Sequence, residues 1–390
     1  MSDSPRIPRF PDDYTREAAS GRRDFISDQT GVSTEHLGHY SLDPAVLPGN
    51  IEHFVGVVQM PVGLAGPLRI NGEHAQGDFY VPMATTEGTL VASYNRGMRA
   101  LTESGGVKTT VVHQFMQRSP VFHFDDARAA RRFDAWLDEV FDDVREAAES
   151  TTRIGKLTHI QRWPVGRSLY LRCNYTTGDA AGQNMVSKAT YVACEWLRQH
   201  APVPCRYLLS GNIDTDKKHS QMNLLHTRGR RVVAEAVLKR DVVRRLLHVE
   251  TAQLATARHI SNVGAFMAGA ANNGPHAANG IAALFIATGQ DEANVVESHT
   301  GIVYSELLDD GDYWFSVTLP SLIVATRGGG TGLPTQRECL EMLGCYGDGK
   351  ADKLAEIVAA TVLAGDLSLG AAVLAGDWVT SHERLGRNRP

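Results

Sequence analysis

The sequence predicts an α+β protein, and three observations carry that reading. Amphipathic helical stretches and alternating strands are both present, but they do not follow one another in regular βα order. Glycine is frequent, 37 of 390 residues, and gathers in short polar motifs between elements, where tight turns or close approach to a ligand call for it. No Gly-x-Gly-x-x-Gly follows a strand, so a doubly wound dinucleotide fold has no support.

Residues 1–40 are charged with little apolar periodicity and read as a mobile arm with one helix. From 51 to 68 the chain is apolar and broken by Gly56, Gly63, Gly66 and Pro67, a strand-and-turn pattern. Thr85 and Thr86 then precede a helix running to about Thr102, a threonine serving as N-cap. In 125–149, Ala130, Phe133, Trp136, Leu137, Val140, Phe141 and Val144 recur at three- and four-residue steps, which predicts one helix. In 168–175, Leu169, Leu171, Cys173 and Tyr175 share one face of a strand, and a helix over 181–199 follows. Strand, helix, strand and helix between about 120 and 207 make a compact α+β unit. The second half reads as a strand over 231–238, a helix over 241–257, a small-residue helix over 263–271 and a helix over 277–288. A hairpin over 302–319 turns at 309–312, and helices run on to His382.

Composition removes several classes. Apolar residues are 43% and charged residues 21%, ordinary for a chain with ample length to bury a core. A net charge of −5 argues against a general nucleic-acid binder. No apolar run approaches the roughly 18 residues of a membrane span; the best stretch is 281–287. The proline-containing polar N-terminus has no secretory h-region. Five cysteines without a Cys-x-x-Cys pair fit a reducing cytoplasm rather than a disulfide framework or zinc site. The expectation is a cytoplasmic protein with neither membrane nor nucleic-acid partner.

Several segments carry candidate chemistry. Glu87 stands at the start of an apolar helix, as a functional carboxylate or as a helix-dipole glutamate. Ser210 to His219 packs Asp214, Asp216, Lys217 and Lys218 into one polar loop. It reads as a solvated turn or as a lysine held beside an aspartate to meet an oxyanion. The Asp-x-Asp spacing lacks the later glycine and glutamate of a calcium loop, so no metal is expected. Residues 176–185 follow a strand and open a helix, a junction whose backbone amides suit a phosphate. The glycine run 328–332 is a turn or a second cradle. Asn272, Asn273, His276 and Asn279 are too polar for a simple core helix, which favours a site.

Together these segments resemble the 3-hydroxy-3-methylglutaryl-coenzyme A reductase family. The matching stretches are MPVGLAGPL (60–68), PMATTEGTLVAS (82–93), TTGDAAGQNM (176–185), SGNIDTDKK (210–218), GQDEANVVE (289–297), TRGGGTGL (326–333) and SHERLGR (381–387). They cover residues 45–387 in the family's order, in the form shared by eukaryotes, archaea and some bacteria. The resemblance implies a large acyl-CoA-binding domain built around a central helix (45–118 and 208–390). Into it a small ferredoxin-like NADP-binding domain (119–207) is inserted, and residues 1–44 form a helical arm. It implies two hydride transfers from NADPH that convert the thioester to mevalonate and free coenzyme A. Active sites would lie between subunits of a homodimer or dimer of dimers.

The resemblance also implies roles. Lys217 would stabilise the oxyanion, Glu87 would protonate in the aldehyde reduction, Asp291 would lie between them, and His382 would protonate the departing thiolate. Ser93, Arg118, Ser210, Asp216, Lys218 and Asn279 would hold the substrate, with His276 in support. Asp179, Ala180, Ala181, Gly182, Gln183, Asn184 and Met185 would form the cofactor loop. Thr152 and Arg153 would meet the adenosine 2′-phosphate, favouring NADPH over NADH.

One position departs. The family's lysine that pairs with the substrate's free carboxylate aligns, ungapped, with Ile260. Either a gap lets Arg258 or His259 supply the charge, or Arg118 and Lys218 suffice, or the acyl group differs. Phe266 is bulkier than the family's residue, and His219 replaces a common proline. The alternatives are therefore a reductase of a related acyl-CoA thioester and, from another class, a non-catalytic CoA-binding protein.

Overall fold

The structure, a computed structural model, describes residues 5–376; His382 lies outside them. It is mixed α+β, as the element order predicts. The first helix, α1 (Arg16–Thr30), is capped by the Thr15 hydroxyl, which accepts from the Ala18 amide. The arm is docked rather than mobile. Arg22 is buried and donates to the carbonyls of Pro8, Asp13 and Phe54, while Ala19 packs with Leu47 and Phe54. The chain continues through β1 (Val62–Gly72), β2 (Gln76–Ala84), α2 (Leu90–Glu103), β3 (Val107–Arg118) and β4 (Val121–His123). Next come α3 (Ala127–Glu139), α4 (Phe141–Glu149), β5 (Lys156–Val165), β6 (Ser168–Thr176), α5 (Gln183–His200) and β7 (Arg206–Leu208). The second half holds α6 (Gln221–Leu225), β8 (Gly229–Leu238), α7 (Arg240–Val242), α8 (Thr251–Ala268), α9 (Ala277–Thr288) and α10 (Val295–Ser298). It ends with β9 (Ile302–Leu307), β10 (Tyr313–Leu322), α11 (Pro334–Met342) and α12 (Ala351–Ala375).

The main strand order is β7-β4-β6-β3-β8-β10-β9, with β5 on β6 and the β1–β2 hairpin joined to β3 through β1. Strand β3 serves two sets of partners. Its residues 108–115 pair antiparallel with β8, and its last three, Met116, Gln117 and Arg118, pair with Tyr175, Asn174 and Cys173 of β6. Each set has its own core. Helices α3–α5 cover the apolar face of β4–β6, where Phe122, Phe133, Leu171 and Tyr175 meet. Helix α12 runs through the other core among Leu101, Val232, Leu284 and Leu319.

Helix α12 corrects the expectation that no segment is apolar enough to span a membrane. It is long enough and has a mean hydropathy of 2.0, but 78% of that stretch is buried in the protein, so it is a core helix. Two acids, Glu356 and Asp366, interrupt its apolar run, and both are buried and used. Glu356 accepts the amides of Glu73, His74 and Ala75, fixing the β1–β2 turn, and Asp366 accepts the His276 amide at 2.7 Å. Gly97 on α2 permits the close crossing with α12: a Cβ there would lie 1.9 Å from the Ala364 carbonyl oxygen.

Three boundaries differ from the periodicity. Thr89 sits at φ 76°, so α2 begins only at Leu90 and Glu87 lies in the preceding turn rather than in the helix. The stretch 125–149 breaks at Val140, giving α3 and α4. The break expected near 258–262 falls earlier. A π-helical turn over Val243–Leu247 ends at His248 (φ 61°), and Glu250 with Gln253 then forms a capping box for one continuous α8. Apolar spacing continues across a cap and cannot locate it.

Candidate active site

The loop between β7 and α6 is conformationally unusual. Asn212, Thr215 and Lys217 all adopt positive φ (67°, 58° and 53°), a sparsely populated region for residues with side chains. Buried contacts hold it there. The Lys217 amide donates to Glu297 Oε1 at 3.0 Å, and the Lys218 carbonyl accepts from Asn223 Nδ2 at 2.8 Å. The result points the Lys217 ammonium at Asp291, Nζ to Oδ2 2.8 Å. That hydrogen bond raises the lysine's pKa and keeps it cationic.

Beneath this pair lies a charged network. Asp216 Oδ1 accepts from Arg228 Nη2 at 2.7 Å and from Gln183 Nε2 at 3.3 Å. Arg228 is fully buried and also donates from Nε to Glu297 Oε1 at 3.2 Å. Burial pushes the Glu297 carboxyl up, opposed by the Lys217 amide and the Arg228 charge. Asn294 ties the network together, donating to Glu297 at 3.2 Å and accepting from Gln183 at 3.2 Å. Arg118, at the end of β3, pairs with Asp214 at 3.2 Å and lies 3.8 Å from Asp216. Arg228, Asn294 and Glu297 were missed by the motif reading. Glu297 closes the GQDEANVVE stretch, and a lone acid after two valines was its only signal.

A second cluster surrounds Glu87. Its Oε2 accepts from Asn279 Nδ2 at 2.9 Å. The neighbouring His276 ring is buried, which lowers the imidazole pKa. The Tyr94 hydroxyl donates to the His276 carbonyl at 2.6 Å, and the two rings lie 4.8 Å apart. Burial raises the Asp366 carboxyl to about 7. Among the described residues, Glu87 makes no ion pair with Lys217; Asp291 pairs with Lys217 through Oδ2 and accepts the Ala293 amide at Oδ1. Ser93 faces α12, its hydroxyl 3.2 Å from that of Ser368. Ser210 is exposed in the strained loop, and Lys218 Nζ turns back to the Asp216 carbonyl at 3.0 Å.

A cleft of 570 Å³ joins Asp291 to residues 180–185 and the glycine run 328–330. Gly182 caps α5 at φ 82°, where a Cβ would sit 2.3 Å from Thr177 Cγ2, so backbone alone lines that edge. The N-terminus of the 18-residue α5 opens here and presents free amides to an anion. Asp179 plays a different part from the rest of the loop. Its carboxylate accepts the amides of Gly349, Lys350 and Ala351, which anchors the loop to the start of α12. Thr152 lies beside the cleft, its hydroxyl 3.0 Å from Met185 Sδ, with Arg153 exposed next to it.

Ile260 is 70% exposed on α8. Arg258 is not a substitute for the aligned lysine. It is buried, donates to Asn262 Oδ1 at 3.1 Å and to the Asn273 carbonyl, and feels the charge of Asp366. His259 is exposed.

The family model for hydroxymethylglutaryl-coenzyme A reductase matches residues 18–387. A 3-hydroxy-3-methylglutaryl-coenzyme A reductase of Pyrococcus horikoshii is 45% identical over 98% of this chain and 94% of its own length. One of Methanocaldococcus jannaschii is 46% identical over 94% and 92%. The fold also matches a class II reductase of Streptococcus pneumoniae solved with NADPH, with a TM-score of 0.70 at 20% identity, covering 91% of this chain and 86% of that one.

Proposed function

The chain belongs to the hydroxymethylglutaryl-coenzyme A reductase family, and from that premise we propose that it reduces 3-hydroxy-3-methylglutaryl-CoA to mevalonate. The balance is one thioester, two NADPH and two protons to mevalonate, free coenzyme A and two NADP⁺. The observation that carries this reading is the Lys217–Asp291 pair at 2.8 Å, opening on the cleft that the 180–185 loop also lines. The cleft fits the cofactor: its volume lies in the range of small-molecule sites, and a helix N-terminus and Arg153 offer places for phosphates.

NADPH, when bound, supplies hydride to the carbonyl carbon. As that carbon becomes tetrahedral, negative charge gathers on its oxygen, and the Lys217 ammonium stabilises it more strongly than it stabilises the ground-state carbonyl. Asp291 and the positive-φ backbone hold the ammonium in place, and Arg228 and Glu297 hold the loop beneath it. The hemithioacetal then collapses, the carbon–sulfur bond breaks, and His382 gives its proton to the departing thiolate. Glu87 delivers a proton to the aldehyde oxygen during the second hydride transfer. Asn279 Nδ2, donating to Oε2 at 2.9 Å, holds the carboxyl in position for that transfer. Asp216, Arg118, Ser210, Lys218 and Ser93 form the acyl-binding surroundings. Residues 119–207 make the NADP-binding unit within a large domain of 45–118 and 208–390.

A homo-oligomer is part of the proposal. Glu87 and Lys217 are both exposed in one chain and belong to separate clusters. The exposed side of α8 carries Ile260, Val263, Phe266 and Met267, an apolar ridge suited to a second copy. The cytoplasm is the proposed location.

Ile260 favours a second reading, in which the acyl group lacks the distal carboxylate. Following NADPH oxidation with both thioesters decides. Two NADPH consumed per CoA released from 3-hydroxy-3-methylglutaryl-CoA is the expected result. Turnover of an uncarboxylated analogue alone would select the second reading. CoA binding without turnover of any thioester would point to a non-catalytic protein.

A further inference from the structure

Strand β6 has two faces. One carries Leu169, Leu171, Cys173 and Tyr175 into the core. The other carries Arg172 and Asn174, each only 1% exposed. Burying a guanidinium is costly unless a counter-charge accompanies it. Arg228, equally buried, has Asp216 and Glu297. Arg172 has no carboxylate within ion-pair distance among the described residues. Its partners are neutral: Gln161 Oε1 at 3.0 Å, Asn174 Oδ1 at 3.4 Å and the Thr227 carbonyl at 3.4 Å. Its Nε is buried with no partner. The carboxylate whose field reaches it, Asp214, is committed to Arg118 at 3.2 Å. Burial and the neighbouring Arg228 charge push its pKa down to about 10.

A cleft of 540 Å³ opens on this face, and its lining shares no residue with the cofactor cleft. His113, His159, His226 and Arg231 line it with Arg172, and no aspartate or glutamate does. The sheet register places these groups together: His113 pairs with Arg231, His159 with Asn174, and Gln161 with Arg172. Burial and the Arg172 charge lower the pKa of His159 and of His226. Gln161 orients the His226 ring through Nδ1 at 3.0 Å. Phe115, 5.4 Å from the His159 ring and edge-on to it, gives the cleft an apolar wall, continued by Ile302.

We propose that this cleft is a second ligand site, for a phosphate-bearing organic anion: a phosphomonoester or diphosphate ester with a small apolar body. Two guanidinium and three imidazole groups line one space, more donors than the two oxygens of a single carboxylate accept, whereas a phosphate offers three or four oxygens. The ester's carbon body lies along Phe115 and Ile302. Bound phosphate supplies the counter-charge that Arg172 lacks and an acceptor for its Nε.

Calorimetric titration of the full chain tests this, with NADP⁺ and coenzyme A saturating so that the catalytic cleft is filled. The probes are inorganic phosphate and butyl phosphate. The expected result is binding of both, with butyl phosphate about tenfold tighter. The His159→Gln/His226→Gln double variant should weaken both by tenfold or more while kcat and the KM for NADPH stay unchanged. Arg172→Gln should abolish binding; should that variant not fold, the histidine pair carries the test. No heat with either probe would overturn the proposal. So would equal affinity for the two probes, affinity unmoved in the double variant, or a changed oligomeric mass of that variant with binding retained.

Discussion

The Lys217 and Glu87 clusters are built on opposite electrostatic plans. Around Lys217 the charges are paired: Asp291 meets it at 2.8 Å, and Arg228 bridges Asp216 and Glu297 beneath. Around Glu87 the partner is an amide, and the groups behind it, His276 and Asp366, are buried where burial favours their neutral forms. One cluster fixes a cation by ion pairing, and the other holds a carboxyl without one. The Asp291 hydrogen bond raises the Lys217 pKa, which suits the ammonium to the proposed oxyanion role. The Glu87 carboxyl is held by the Asn279 amide rather than by an ion pair among the described residues. Both Glu87 and Lys217 are exposed.

Substitutions at either half break this comparison, and the largest effect is expected at the cation. Lys217→Ala should lower kcat by roughly a hundred- to a thousandfold, the usual loss when an oxyanion donor is removed, with the circular-dichroism spectrum unchanged. A rate near the parent's would remove the lysine from the chemistry. Glu87→Gln should cost about a hundredfold, confined to aldehyde reduction. Added mevaldehyde should therefore be turned over as poorly as the thioester; normal turnover of it would contradict the proton-donor role.

The support behind Glu87 gives a stability effect of a few kcal/mol. Asp366 has a carboxyl pushed up to about 7 by complete burial, against 3.8 when unfolded. The folded state thus holds a proton that the unfolded state has lost. The associated stability is fully present below about pH 4 and is lost as pH rises to about 7. Asp366→Asn keeps an acceptor for the His276 amide and should flatten that part of the pH–stability curve, measured by urea unfolding. An unchanged slope would show that the carboxyl is not the titrating group. On the Lys217 side, Arg153→Gln should raise the KM for NADPH about tenfold and leave that for NADH within about twofold. Equal changes in both would place the 2′-phosphate elsewhere. The smallest effect is expected at Ile260→Lys on α8. It should lower the KM for a carboxylated thioester by about threefold, an exposed ion pair's worth. No change would remove this position from the carboxylate's contacts.

Much of this was legible in the sequence, and the rest was hidden for identifiable reasons. Period-2 alternation located β6, and Gly-flanked polar motifs marked the Lys217 and 180–185 loops as candidates, because those signals are local. Helix α12 went unrecognised as a long apolar element because Glu356 and Asp366 interrupt it, and only the tertiary structure supplies the amides that let acids be buried. The same holds for Arg228 and Glu297, which are 69 residues apart and become a pair only when β8 and α10 meet. Asp179 belonged to a cofactor motif by sequence, yet its carboxylate caps the amides before α12, a contact across 170 residues that no motif spacing encodes.

The most direct test of the two-half account mixes chains. Lys217→Ala and Glu87→Gln proteins, each strongly impaired alone, are denatured together in equal amounts and refolded, and NADPH oxidation with 3-hydroxy-3-methylglutaryl-CoA is followed. If each site takes Lys217 from one chain and Glu87 from another, half of the dimers are mixed and each holds one intact site. About a quarter of the parent activity should then return. Activity no greater than that of the separate variants, with mixed dimers shown to have formed, would contradict it.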